Sequence, residues 1–301
     1  MEYVDDSENK HYNNTLLFKN EKPFKNSKKY KRIIAVGDIH GDYNQFIKIL
    51  THAKLIDKNK NWIGKNTIFV QVGDLMDRGD ESKKIFDLMM KLKKQAKKKG
   101  GVIHSLLGNH EILNLTGDFR YTYLSDIKSY GTIEKRRKAL ALNTKYGDYI
   151  RKEMESVVVI DDMIFVHAGL LSRDAALGIK NVNKKIRKIL IDAPYNISND
   201  SPHPINTDPL LNLNENRPLW TRYLAYNSDI EAACEELSKV LKITNTTRMI
   251  VGHSIIADGR IARLCDNKLI NIDIGITKYY GGRFGYLEIK RDKNEFWEIY
   301  N

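Results

Sequence analysis

"RIIAVGDIHGDYNQFIKIL", residues 32–50, passes from a short β-branched run through Gly-Asp and Gly-Asp into a stretch where Phe46, Ile47 and Leu50, with Ala53 just beyond, recur at helical spacing. A buried strand that stops at glycine and then enters an amphipathic helix, with Asp42 placed to cap it, is the first half of a βαβ unit. The same arrangement returns along the chain in "TIFVQVGD", "VIHSLLGN", "MIFVHAG" and "RMIVGH". Between the first two of these, "DESKKIFDLMMKLKKQAKKKG" sets Ile85, Leu88, Met89, Leu92 and Ala96 on one helical face. Strand, helix, strand, helix, strand predicts an α/β sheet. In the last third, "IARLCDNKLINIDIG" and "GYLEIKRDKNEFWEIY" each hold a polar turn between strand-like runs. With "ESVVVIDDMIFVHAG" they predict hairpins of a second, largely antiparallel sheet packed on the first.

The chain has 301 residues and 42% hydrophobic content, enough for a substantial core. Its 50 Lys and Arg against 38 Asp and Glu leave a net charge of +12, which favours phosphate-bearing partners. No apolar run is long enough to span a bilayer and no signal peptide is visible, so the expected setting is cytoplasmic with no membrane partner. Cys234 lies in the helical pattern "IEAACEELSKVL" and reads as a buried free thiol, which fits a reducing compartment, as does the presence of only one other cysteine, Cys265. Residues 1–30 are polar and lysine-rich and read as a basic N-terminal tail. From 31 to 301 no linker or composition break appears, so that span is expected to be one catalytic domain.

In α/β sheets ligands gather at the carboxyl ends of strands, and every cluster of metal-type donors here falls at such an end. "GDIHGD" offers Asp38 and His40, "GDLMDRGD" offers Asp74, Asp77 and Arg78, and "GNHE" offers Asn109 and His110; "HAG" and "GHS" add His167 and His253. Each cluster alone is an ordinary turn; jointly they form a donor set. Oxygen and nitrogen donors without thiolate suit Mn first, with Fe or Zn as alternatives. Asp38, His40, Asp74, Asn109, His167 and His253 are too many for one catalytic ion and fit two if Asp74, which ends the second strand, bridges them.

These ordered motifs resemble the phosphoprotein phosphatase family of calcineurin-like metallophosphoesterases, over residues 36–254. "NLTGDFRYTY" after "GNHE", and "PLWTRYL" further on, resemble its Shewanella-like, bacterial-type branch. The resemblance implies an αβ-sandwich with two central mixed β-sheets flanked by helices. It implies that Asp38, His40 and Asp74 hold one metal ion and that Asp74, Asn109, His167 and His253 hold the other. It implies further that His110, paired with Asp77, protonates the leaving oxygen, and that Arg78, Arg222 and Asn109 contact the phosphate. The implied reaction is hydrolysis of phosphomonoesters on phosphorylated proteins or peptides by direct attack of a water or hydroxide held on two ions. Phosphoserine and phosphothreonine are the expected substrates, with phosphotyrosine also open. A dinucleoside polyphosphate hydrolase and a catalytically silent phospho- or nucleic-acid-binding module are the alternatives. The complete donor set argues against the silent module.

The run "KLKKQAKKKG" lacks the aromatic and arginine interleaving of a nucleic-acid surface and reads as a solvated helix end. Tyr121 and Tyr123 fit either a substrate groove or a strand edge, while His52, His104 and His203 fall outside the motifs and read as structural or exposed. Glu111 is expected to orient His110 or Arg78 through hydrogen bonds.

Overall fold

The computed structural model describes residues 14–20, 24, 29–193, 208–212 and 216–300; His203 lies outside them. Two sheets carry the fold. The β-branched run after Arg32 forms β2 (Arg32–Val36), which pairs in parallel with β3 (Thr67–Gln71), and β3 pairs in parallel with β4 (Val102–Ser105). The crossovers are α1 (Tyr43–His52) and α2 (Ser82–Lys98). Asp42 caps α1 as expected, its carboxylate accepting the Gln45 N–H at 3.0 Å. The predicted face of α2 is buried: Ile85, Leu88, Met89, Leu92 and Ala96 all face the sheet side.

The chain then forms α3 (Asn109–Leu115), α4 (Leu124–Tyr130), α5 (Ile133–Ala139) and α6 (Lys145–Asp148), which leads into one π-helical turn. The second sheet begins with β5 (Val157–Ile160) and β6 (Met163–Val166), followed by α7 (Ser172–Ala175) and α8 (Ile179–Asp192). After α9 (Ile230–Thr244) come β7 (Arg248–Val251), β8 (Ala262–Leu264) and β9 (Leu269–Asn271). The last hairpin is β10 (Gly285–Lys290) with β11 (Glu295–Tyr300).

The sheet orders are β1-β11-β10-β2-β3-β4 and β5-β6-β7-β9-β8, where β1 is Asn14–Lys19. The expected αβ-sandwich is therefore present, with three differences from the sequence reading. The terminal hairpin joins the first sheet, β10 pairing antiparallel with β2. The second sheet is mixed, because β6, β7 and β9 run parallel and only β5 and β8 are antiparallel. Within the expected tail, "NTLLFK" forms edge strand β1 against β11; Phe18 stacks on Phe296 at 4.4 Å, and that apolar contact draws the segment onto the sheet.

The two sheets are also pinned to each other. In the β10–β11 turn, Arg291 forks onto Asp161 of the β5–β6 turn, Nε donating to Oδ2 at 2.8 Å and Nη2 to Oδ1 at 2.7 Å, both side chains buried. A two-point, charge-assisted grip fixes orientation as well as distance. The thiol expectation is overturned: Cys234 on α9 and Cys265 at the β8–β9 turn form a disulfide, their Cα atoms 5.3 Å apart. The hairpin lays its turn against α9, a proximity that helical periodicity alone does not reveal.

Candidate active site

β2, β3, β4, β6 and β7 all end on the same side of the sandwich, and the turns that follow converge there. Those turns are unusually bent. His40, Asp74, Asp77, Arg78 and His253 all have φ between 47° and 66°, the left-handed region that side chains with a Cβ seldom occupy. Two close approaches demand glycine. A Cβ on Gly108 would lie 2.1 Å from Asp74 Oδ1, and one on Gly252 would lie 2.3 Å from Asp38 Oδ1. Glu111 sits beneath the turns, but it does not touch His110 or Arg78 with its carboxylate as expected. Its oxygens accept the N–H groups of Asp74 at 2.9 Å, Leu75 at 2.8 Å and Gly108 at 2.8 Å, pinning the Asp74 turn to the start of α3.

All six expected donors are brought together and buried: Asp38, His40, Asp74, Asn109, His167 and His253. Two groups of ligand atoms, one from His40, Asp74 and His110 and one from Asp74, His167 and His253, each lie within 4.8 Å, and Asp74 belongs to both. Hydrogen bonding fixes which ring nitrogens face inward. His40 Nδ1 donates to Met76 O at 2.9 Å, which turns Nε2 toward Asp74 Oδ2 at 3.7 Å and Asp38 Oδ2 at 3.9 Å. His167 Nδ1 donates to Val72 O at 2.9 Å, which leaves Nε2 facing Asn109 Oδ1 at 2.9 Å and Asp74 Oδ2 at 3.4 Å. His253 Nε2 donates to Trp220 O at 3.2 Å and keeps Nδ1 for the interior. With the imidazoles neutral, lone pairs face lone pairs, an arrangement that a cation satisfies and that neutral packing does not.

The electrostatics carry the same strain. Burial, with Asp273 and Asp74 adding to it, pushes Asp38 well above the usual carboxylate range. Burial would raise Asp74 too, but the imidazoles of His167, His110 and His40 outweigh it and hold it well below its ordinary value. Burial drives His40 down to about 4 and, with His167 and Arg222 nearby, lowers His253 strongly. Burial likewise lifts Asp273 to about 6 and, with Asp74, Glu111 to about 7. Crowded carboxylates that resist ionisation together are the mark of a cation site.

His110 and Asp77 form the expected pair, Nδ1 donating to Oδ2 at 2.7 Å. Burial would lower the His110 imidazole, yet Asp74 and Asp77 hold it above its ordinary value. Arg78 faces the same space with its Nε buried and without a hydrogen-bond partner among the described residues, while Nη1 donates to Tyr279 Oη at 3.1 Å. Its guanidinium is framed by the rings of Tyr121, Tyr279 and Tyr280, with centroids at 4.1, 4.9 and 5.8 Å. Tyr121 thus lies beside the Arg78 guanidinium, its ring 5.3 Å from that of His110. Arg222 is placed by Nη1, which donates to His253 O at 2.9 Å and Ser254 Oγ at 3.2 Å. His52 and His104 stand apart, bonded to Tyr286 and Glu155.

Asp273, Asn114, Tyr279 and Tyr280 escaped the sequence reading. Asp273 was legible in principle, since "NIDIG" repeats the pattern of an apolar run ending in Asp and Gly at a strand end. Its Oδ2 is buried without a partner among the described residues.

A model of the calcineurin-like phosphoesterase family matches residues 31–256. The chain belongs to the calcineurin-like phosphoesterases. Among curated phosphoesterase relatives, it is 33% identical over 270 residues to Shewanella-like protein phosphatase 1 of Plasmodium berghei (strain Anka), covering 87% of this chain and 72% of the relative. It is 29% identical over 308 residues to Shewanella-like protein phosphatase 2 of Arabidopsis thaliana, covering 88% and 76%. Among solved structures, the cold-active protein-tyrosine phosphatase of a psychrophilic Shewanella species superposes with a TM-score of 0.74 at 26% identity, covering 90% of this phosphoesterase and 81% of that chain. These relatives place it in the Shewanella-like branch.

Proposed function

We propose that the chain is a dinuclear-metal protein phosphatase that hydrolyses phosphomonoesters. The observation that carries this reading is Asp74, shared between two converging groups of lone-pair donors and standing 4.0 Å from the Nε2 of an aspartate-held histidine, His110. Asp38, His40 and Asp74 would hold one ion, and Asp74, Asn109, His167 and His253 the other. Ions bound by these residues would supply a nucleophile at neutral pH and neutralise the charge that builds on a transferring phosphoryl group. The donor set favours Mn, with Fe and Zn as alternatives.

The protein's own groups supply the rest. Arg78, whose Nε has no partner among the described residues, would offer the phosphate oxygens a planar donor fork. Arg222 and Asn109 complete the grip. His110 carries a proton on Nε2 to the leaving oxygen, while Asp77 stabilises the charged ring and fixes its direction. The Tyr121, Tyr279 and Tyr280 rings make the rim aromatic, and together with the protein-tyrosine phosphatase among the structural neighbours they favour phosphotyrosine over phosphoserine and phosphothreonine.

Among the described residues no helix is long and apolar enough to cross a membrane. The cytoplasmic expectation rests in part on free thiols, a support that the Cys234–Cys265 disulfide removes.

The test is phosphate release by chelator-stripped protein, with and without Mn, from phosphoserine, phosphothreonine and phosphotyrosine peptides and from a dinucleoside tetraphosphate. The Asp74→Asn variant serves as blank. Mn-dependent release from peptides, fastest from phosphotyrosine, is expected. Release from the nucleotide alone would replace this reading with nucleotide hydrolysis.

A further inference from the structure

Behind His110 lies a buried polar chain that ends in a charge. Asp77 Oδ2 takes not only the His110 proton but also Asn114 Nδ2, at 2.9 Å, and the same Nδ2 donates to His110 O at 2.9 Å. Asp77 Oδ1 accepts Thr122 Oγ1 at 2.6 Å. On its other side Asn114 Oδ1 accepts Arg136 Nε at 3.2 Å and Nη2 at 2.7 Å. Arg136 and Asp126 are wholly buried and paired, Nη1 donating to Oδ2 at 2.5 Å, and Asp126 also accepts Ser82 N at 2.9 Å and Ser82 Oγ at 2.6 Å. The guanidinium lies over the Tyr130 ring at 4.8 Å.

We infer that Arg136 is a positioning residue for the proton donor, acting through Asn114. An amide has two chemically different ends, and nothing in the shape of Asn114 decides which end meets Asp77. Arg136 has only donors, so Asn114 must turn its oxygen toward the arginine and its NH₂ toward the carboxylate. The reversed amide would set oxygen against carboxylate and NH₂ against guanidinium at once. Both Nδ2 protons are used in the observed sense, one on Asp77 and one on the His110 carbonyl, so Asn114 clamps the carboxylate to the same turn of α3 that carries the ring it orients. A surface arginine could not impose this, because water would satisfy either orientation. Asp126 is what allows a full charge to stand there, since an unpaired buried guanidinium would be expelled.

The inference rests on the assignment of His110 as proton donor, and its test separates the two. Asn114→Leu cuts the chain and leaves Arg136 Nη1 on Asp126, although Nε and Nη2 lose their acceptor. The paired change Arg136→Met with Asp126→Asn removes both charges together. Each is compared with wild type on an alkyl phosphomonoester, whose leaving group needs a proton, and on p-nitrophenyl phosphate, whose leaving group does not.

Both variants should lose about tenfold in kcat/KM on the alkyl ester, part of the ~10²–10⁴ a general acid contributes, and little on the aryl ester. Bound metal should be unchanged. In a His110→Ala background the same changes should have no further effect on the alkyl ester. Equal losses on both esters, undiminished losses without His110, or no loss at all would overturn the inference. The Nδ1 proton resonance of His110, assigned by its disappearance in His110→Ala, reads the geometry without any substrate. It should shift or broaden in both variants, and an unmoved resonance would refute the inference even if the protein proved to be no phosphatase.

Discussion

Replacing Asp77 by asparagine tests the proton donor with little disturbance to the fold. Asp77 accepts three donors: His110 Nδ1 and Asn114 Nδ2 on one oxygen, and the Thr122 hydroxyl on the other. An asparagine whose oxygen replaces Oδ2 keeps the first two, and its NH₂ meets a hydroxyl that turns to accept instead of donate. The Thr122 hydroxyl proton and one proton of the new amide lose their acceptor there, so the stability cost should be about 1–3 kcal/mol, where Asp77→Ala would leave three donors unmet at ~1–3 kcal/mol each. What Asp77→Asn removes is the charge.

A charge-assisted hydrogen bond is worth about twice a neutral one, so the protonated His110 should lose roughly 1–2 kcal/mol of support, equivalent to about 5- to 30-fold. Because Asp77 helps hold His110 above its ordinary value, losing it lowers that value. A proton donor works below its pKa, so the alkaline limb of the pH–rate profile should move to lower pH. The sign for stability agrees: a raised histidine stabilises most below its unfolded pKa, and that contribution fades as pH rises through the folded one. The assay is kcat/KM across phosphomonoesters graded by leaving-group pKa, each with its pH profile. Losses should grow with leaving-group pKa. A uniform loss across the series, with the alkaline limb unmoved, would refute the reasoning.

Gly108→Ala should abolish metal retention and activity together, because the new Cβ falls 2.1 Å from Asp74 Oδ1; metal analysis after gel filtration showing full loading would contradict this. Reducing the Cys234–Cys265 bond, whose cysteines are 31 residues apart, should cost about 3–4 kcal/mol on a chain-entropy basis and lower Tm by on the order of 5–10 °C. Calorimetry with and without reductant that gave the same Tm would mean the bond does not form in solution. Exchanging Lys97, Lys98 and Lys99 for glutamine should leave turnover of a small phosphate ester unchanged, since they end α2 on an exposed surface; a tenfold fall would show that the lysines serve the site.

The donor set was legible because each donor lies in a short contiguous stretch that a strand end imposes: Gly-Asp-x-His, Gly-Asp, Gly-Asn-His. Five such stretches need only converge, and parallel strands make them do so. Sheet membership was not legible in the same way. Periodicity marks "GYLEIK" and "EFWEIY" as strands, but β2, on which the first of them pairs, lies some 250 residues away, and nothing local distinguishes that edge from another. The same holds for Cys234 and Cys265, whose pairing depends on where a hairpin lands. Arg136 was the hardest to see. It sits in "IEKRRKA" among Lys135, Arg137 and Lys138, where sequence offers four equal surface cations, and only the packing of α4 against α5 buries one of them on Asp126.

The left-handed turns bear on how such a protein can drift. At His40, Asp74, Asp77, Arg78 and His253, the backbone is held where a side chain costs about 1 kcal/mol or more and glycine costs almost nothing. At each of them, the substitution that most relaxes the turn is also the one that removes a side chain of the proposed metal site, proton relay or phosphate grip. Selection for heat resistance alone would therefore erode this chain from its catalytic centre outward, yielding sturdier descendants with the sandwich intact and the chemistry gone.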